Sequence, residues 1–129
     1  MSKAAGAIEL RAEYDMSAVV AQFHAQLSQP DRPFGLLVRF CARAGTEASI
    51  AAAFAQARGH TLAEPGCGAF DLSRTNSDAA RFVIYERWWN LAAFEKHLHQ
   101  PYTAALRHTF ESLMTGMPEI EVLLPADGQ

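Results

Sequence analysis

Cysteine is scarce in this chain: Cys41 and Cys67 are the only two. They lie far apart, so they form neither a CxxC redox pair nor the four-ligand set of a structural zinc site. Both are read as reduced thiols, with a disulfide between them left open. Long hydrophobic runs are also missing. No stretch approaches the roughly 20 apolar residues of a membrane span. The N-terminal segment is interrupted by Glu9, Arg11 and Glu13, which excludes a secretory leader and points to a cytoplasmic protein. Basic excess is lacking too. Eleven Lys and Arg stand against 14 Asp and Glu, for a net charge of −3, and they are scattered. A nucleic-acid partner would need a basic face. The sequence holds no Ser-His-Asp set, phosphate loop or dinucleotide fingerprint.

The five histidines do not assemble into a metal site on paper. His97 and His99 are about 200° apart on a helix and cannot share one ion. His108 joins the face of His97 only if the helix runs unbroken through Pro101. His24 and His60 belong to other segments. No metal and no cofactor are expected.

The chain does contain an ordinary globular balance, half hydrophobic and 19% charged, over 129 residues and 14.1 kDa. That is enough for one domain with one core. Residues 1–13 show no period and are expected to be loose. From Asp15, the positions Met16, Val19, Val20, Phe23 and Leu27 recur at helical spacing, with Asp15 or Ser17 as cap. Two prolines then make SQPDRP a linker. These 33 residues form an N-terminal extension with one amphipathic helix, ahead of a domain spanning 34–125.

Phe34 to Ala42 reads as a strand with both faces covered. Thr46 caps a helix carrying Ile50, Ala53, Phe54 and Ala57, expected to stop near Gly59. A turn, Glu64-Pro65-Gly66-Cys67-Gly68, leads into a strand at Ala69–Arg74. Its hairpin partner is Arg81–Trp88. Asn90 caps a helix over Leu91–Leu98 with the stripe Leu91, Phe94, Leu98. Pro101 either breaks that helix or starts a second one, which runs through Phe110 and Leu113 to Gly116. A last strand occupies Pro118–Pro125. The order β-α-β-β-α-β predicts an α+β, ferredoxin-like fold: a four-stranded antiparallel sheet with its helices on one face. The helix-free face then carries Phe- and Leu-rich positions toward water, and sheet-to-sheet dimerisation is the expected cover.

Glu64-Pro65-Gly66-Cys67 opening a strand, Tyr85-Glu86-Arg87-Trp88, and Phe94 with His97 on a helix followed by Tyr102 together resemble the antibiotic biosynthesis monooxygenase (ABM) family. The similarity spans roughly residues 34–125. It implies a homodimeric α+β barrel and a cavity between sheet and helices. It also implies oxidation of a small phenolic, quinol or polyketide-like aromatic by molecular oxygen without bound metal or flavin. Other members degrade haem, isomerise small metabolites, or form ligand-binding dimers. An isomerase, a cyclase or a non-catalytic binding dimer is therefore the alternative. Haem chemistry is disfavoured, since the places that relatives use for it are aligned with Val38, His97 and Leu106 and leave no axial imidazole at the expected position.

His97, at the edge of the Leu91, Phe94, Leu98 stripe, is the candidate base, because imidazole titrates near neutral pH. The bland alternative is a half-buried histidine capping a carbonyl at the helix end. Tyr85, Trp88, Phe94 and Tyr102 are the candidate substrate-binding residues, balanced against plain core packing, with Tyr85 and Trp88 on opposite faces of their strand. Glu86 is expected to pair with Arg39 across strands, Glu64 to hold its own turn, and Cys67 to be structural.

Overall fold

The computed structural model describes residues 7–8 and 16–127. Its elements are β1 (Ala7–Ile8), α1 (Met16–Gln26), β2 (Phe34–Ala42), α2 (Glu47–Leu62), β3 (Cys67–Arg74), β4 (Arg81–Trp88), α3 (Leu91–Leu98), α4 (Pro101–Leu113) and β5 (Met114–Leu123). The sheet is antiparallel throughout, in the order β1-β5-β2-β4-β3. Without the two-residue edge strand β1, this is the ferredoxin-like arrangement that the element order predicts. Ala7–Ile8, expected to be loose, pair with Glu121 and Ile120 of β5. Asp15, one of the two candidate caps of α1, lies outside the described residues.

Period-2 alternation decides what the sheet buries. On β4, Phe82, Ile84, Glu86 and Trp88 turn toward the helices, while Arg81 and Tyr85 face away. On β2, Phe34, Leu36, Phe40 and Ala42 do the same. Every strand phenylalanine is therefore covered. The helix-free face, expected to be Phe-rich, instead mixes half-buried Leu37 and Val83 with the exposed ion pair Arg39–Glu121 at 2.9 Å. The strand phenylalanines share the phase of Trp88, and that phase faces the helices.

The core has two parts. One gathers Phe40, Ile50, Phe54, Phe70, Phe82 and Phe110 between sheet, α2 and α4. Phe40 and Phe82 are cross-strand partners whose rings stack at 5.5 Å, and Phe54 stacks on Phe70 at 4.6 Å. The other joins Phe34, Leu36 and Trp88 of the sheet to Leu91 and Phe94 of α3 and to Val19, Phe23 and Leu27 of the α1 segment. Phe23 is fully buried, its ring 4.8 Å from that of Phe94. The N-terminal helix thus belongs to the domain's core, and burying such a ring stabilises by about 1.5–3 kcal/mol.

Several boundaries differ from expectation, among them β3, which starts at Cys67 rather than Ala69, and β5, which spans Met114–Leu123 rather than Pro118–Pro125. Helix α2 runs through Gly59 to Leu62, with Thr61 Oγ1 donating to the Ala57 carbonyl at 2.9 Å. The reversal falls instead at Gly66, whose φ of 93° suits glycine. A Cβ there would lie 2.6 Å from Ala93 Cβ, so turn and α3 touch. Helix α4 ends at Leu113, short of Gly116, because Met114 already pairs with Ala42 in the sheet. Gly116, at φ 67°, lies beside the register shift between Arg39 and Cys41.

Candidate functional site

The site is assembled from three chain segments that meet under the Trp88 end of the sheet. Asn90 starts α3 by accepting the Ala93 amide on its side chain at 2.8 Å. Steps of three residues then bring Leu91, Phe94 and His97 onto one inward face within two turns. His97, expected at the edge of that stripe, is inside it at 4% exposure. Its ring lies 4.7 Å from Trp88 and 5.5 Å from Phe70.

Glu64 arrives from the turn after α2. Its amide donates to the Thr61 carbonyl and its own carbonyl accepts from Cys67, so both sides of the residue are pinned. Its Oε2 lies 2.9 Å from His97 Nδ1. Tyr102, in the first turn of α4 just after Pro101 at the helix start, donates its hydroxyl to the same oxygen at 2.6 Å. A carboxylate only accepts, so the network assigns the Nδ1 proton to His97, donated to Glu64. Nε2 then keeps its lone pair in the neutral ring. Thr103 Oγ1, at 3.4 Å from Nδ1, is the more distant neighbour. The Tyr102 hydroxyl is pushed above its ordinary pKa by partial burial and by the hydrogen bond to Glu64, so it stays a donor.

Glu86 is the second polar group at this end. The expected pair with Arg39 does not form: Arg39 bonds Glu121 on the opposite face, while Glu86 is 7% exposed under the helices. Two residues separate Glu86 from Trp88, and period 2 takes both inward together. The Trp88 indole N–H donates to Glu86 Oε1 at 3.0 Å. Burial raises the Glu86 pKa. His97 and the indole pull it down, and Glu64 adds a smaller push upward.

Beside these groups lies a cavity of about 150 Å³ walled by Val38, Phe40, Phe70, Ile84, Phe94 and Phe110. Glu86, His97, Thr103, Arg107 of α4 and Val19 of α1 also line it. Of the residues singled out from sequence, His97 and Phe94 line this cavity. Trp88 stands behind His97 and Tyr102 behind Glu64. Tyr85 is on the helix-free face at 36% exposure, apart from the others. Cys67 is half-buried, and burial first, then Glu64, Glu86 and Asp71, outweigh its bond to the Ala69 carbonyl and hold its thiol pKa up to about 11. A thiol so held is a poor nucleophile. Among the described residues no three His, Cys, Asp or Glu side chains converge as a metal site requires. None of the described helices is long and apolar enough to cross a membrane.

Sequence reasoning passed over the roles of Glu64, Glu86 and Thr103. For Glu86 a signal was present, since any residue two along from an inward tryptophan shares its face. Glu64 and Thr103 gave none, because their contacts with His97 exist only in three dimensions.

Residues 33–109 match the antibiotic biosynthesis monooxygenase family model, and the chain belongs to that family. Solved structures agree on the fold. Rv0793 from Mycobacterium tuberculosis is 26% identical, with a TM-score of 0.69 over 74% of this chain and 96% of its own. A candidate antibiotic biosynthesis monooxygenase from Nitrosomonas europaea is 18% identical, with a TM-score of 0.71 over 78% of this chain and 96% of its own. PA3566 from Pseudomonas aeruginosa is 23% identical, with a TM-score of 0.66 over 74% and 96%. No curated protein matches the sequence significantly.

Proposed function

We propose that the protein is a cofactor-independent monooxygenase of a small phenol or quinol, with His97 as the base. The observation that carries this reading is the pairing of a buried imidazole, oriented by Glu64, with an apolar cavity. About 150 Å³ of apolar space is roughly what one benzene-sized ring needs. His97 takes the phenolic proton on Nε2, and Glu64 offsets the charge that appears on the ring. The electron-rich phenolate then passes an electron to molecular oxygen, and recombination of the two radicals forms the C–O bond of a peroxide. Its O–O bond breaks with loss of water to leave a quinone-level product, the substrate supplying every electron. The apolar walls limit water around these steps. Phe94 lines the aromatic slot, Trp88 backs the imidazole, and Tyr102 holds Glu64 in place.

Oxygen uptake with hydroquinones and substituted phenols tests this directly. His97→Ala is expected to lose about 10²–10⁴-fold in rate, the usual share of a positioned base. Unchanged turnover would remove His97 from the mechanism. Products that have gained one oxygen atom and lost two hydrogens distinguish oxygenation from isomerisation or cyclisation, which leave the mass unchanged.

The family resemblance also supports a cytoplasmic homodimer joined through the helix-free sheet face. Tyr85, the candidate substrate residue outside the cavity, would then face the partner subunit. Light scattering of Tyr85→Lys is expected to report a monomer where wild type gives a dimer. A monomeric wild-type protein would overturn this assembly.

A further inference from the structure

We propose that Glu86 acts as a neutral carboxylic acid, donating a hydrogen bond to the same substrate oxygen whose proton His97 removes. The inference rests on the phenol-binding reading above and adds a second anchor to it. The case is geometric. Glu86 is 7% exposed, and its cross-strand partners are Leu36 on β2 and Phe70 on β3. Among the described residues no Lys or Arg nitrogen comes within ion-pair distance of it. Among the described residues, the ionisable groups facing this region are His97 from α3, Glu64 from the turn after α2, Cys67 at the start of β3, and Arg107 from α4 on the cavity wall. Among the described residues, α1 and β5 give the cavity only the apolar Val19, Met114, Pro118 and Ile120.

A carboxyl buried without a cation retains its proton, because desolvation penalises the charged form. The Trp88 indole already donates to Oε1, so the proton belongs on Oε2. Glu86 and His97 both line the cavity, and no hydrogen bond joins them. A single oxygen placed between them satisfies both: it donates to Nε2 and accepts from Glu86. During proton transfer the substrate O–H bond breaks, its electron pair stays on oxygen, and its proton moves to Nε2. The carboxyl proton stays on Glu86 and strengthens its hydrogen bond as negative charge develops. Neutral carboxylic acids kept protonated in apolar sites stabilise oxyanions in this way. The ligand class follows: an aromatic ring bearing an ionisable hydroxyl, in preference to its methyl ether.

Nitrophenol is a suitable probe, since its colour reports ionisation without any oxidation. Bound to wild type, it is expected to ionise at a pH at least one unit lower than when bound to Glu86→Leu, a tenfold difference in proton affinity. Glu86→Gln keeps an N–H donor toward the cavity and an oxygen for Trp88, so it should lie near wild type. The infrared difference between wild type and Glu86→Gln at neutral pH should contain the carbonyl stretch of a protonated carboxyl. If nitrophenol binds and ionises alike in wild type and Glu86→Leu, the inference fails while the phenol site stands. A carboxylate band in place of the acid carbonyl would also overturn it. If wild type binds no nitrophenol, both readings fall together.

Discussion

The inner face of the sheet has two ends built on opposite principles. Under α2 and α4, Phe40 stacks on Phe82 and Phe54 on Phe70, in a cluster without a charged side chain. Under α3, within one side chain's reach of Trp88, the fold buries His97, Glu86 and most of Glu64. The first end is what a stable core requires. The second desolvates a carboxyl that gains only an indole hydrogen bond, an arrangement that stability alone does not favour. Titratable groups kept in such a place, beside a cavity, mark the end where chemistry is expected.

Substitutions sharpen that contrast. The largest stability effect should come from the dry end: Phe82→Ala removes a 2%-exposed ring and is expected to cost about 3–5 kcal/mol in denaturant unfolding. Activity per folded molecule should change little, and a comparable loss of turnover would blur the division between the two ends. At the other end, Glu64→Ala strips the acceptor from both His97 and Tyr102. Roughly 1.5–3 kcal/mol should be lost, together with most activity. Glu64→Gln keeps one acceptor oxygen, so it should recover stability more fully than turnover. Equal recovery of both would make Glu64 a purely structural residue.

Glu86→Gln should have the smallest effect, with the opposite sign. The folded protein holds the Glu86 proton more tightly than the unfolded chain does, since burial raises its pKa. The native state therefore binds more protons above the ordinary carboxylate range, and this group lowers stability as pH rises from there toward its folded pKa. Glutamine cannot titrate. Unfolding free energies of wild type and variant, compared from acid to neutral pH, should diverge in favour of Gln as pH rises. A constant difference would mean that Glu86 is already ionised in the folded state.

Much of the scaffold could be read directly from the chain. The bounds of β2, β4 and α3 follow from alternation, from the Asn90 cap and from flanking turn residues, all local signals. Boundaries set by tertiary pairing were less legible. Nothing local announces that Met114 leaves its helix to meet Ala42, or that Gly59 continues a helix because Gly66 makes the turn. The same divide runs through the site. Phe94 was visible as a member of an amphipathic stripe, and His97 only at its edge. Alternation revealed that Tyr85 and Trp88 oppose each other, but not which of them the helices cover. Once Trp88 is known to be inside, Glu86 must follow it, and its pairing with Arg39 becomes impossible. The His97–Glu64 contact joins residues remote in sequence, and no period encodes it.

Gly66 gives the site its mechanical tolerance. Ordinary carbon contacts sit near 3.5–4.0 Å, so any side chain at a point already 2.6 Å from Ala93 Cβ would wedge the turn away from α3 by roughly an ångström. Glu64 rides on that turn and His97 on that helix. The side chain missing from a single backbone position thus works as a feeler gauge, and it sets how closely the Glu64 carboxylate can approach the His97 ring.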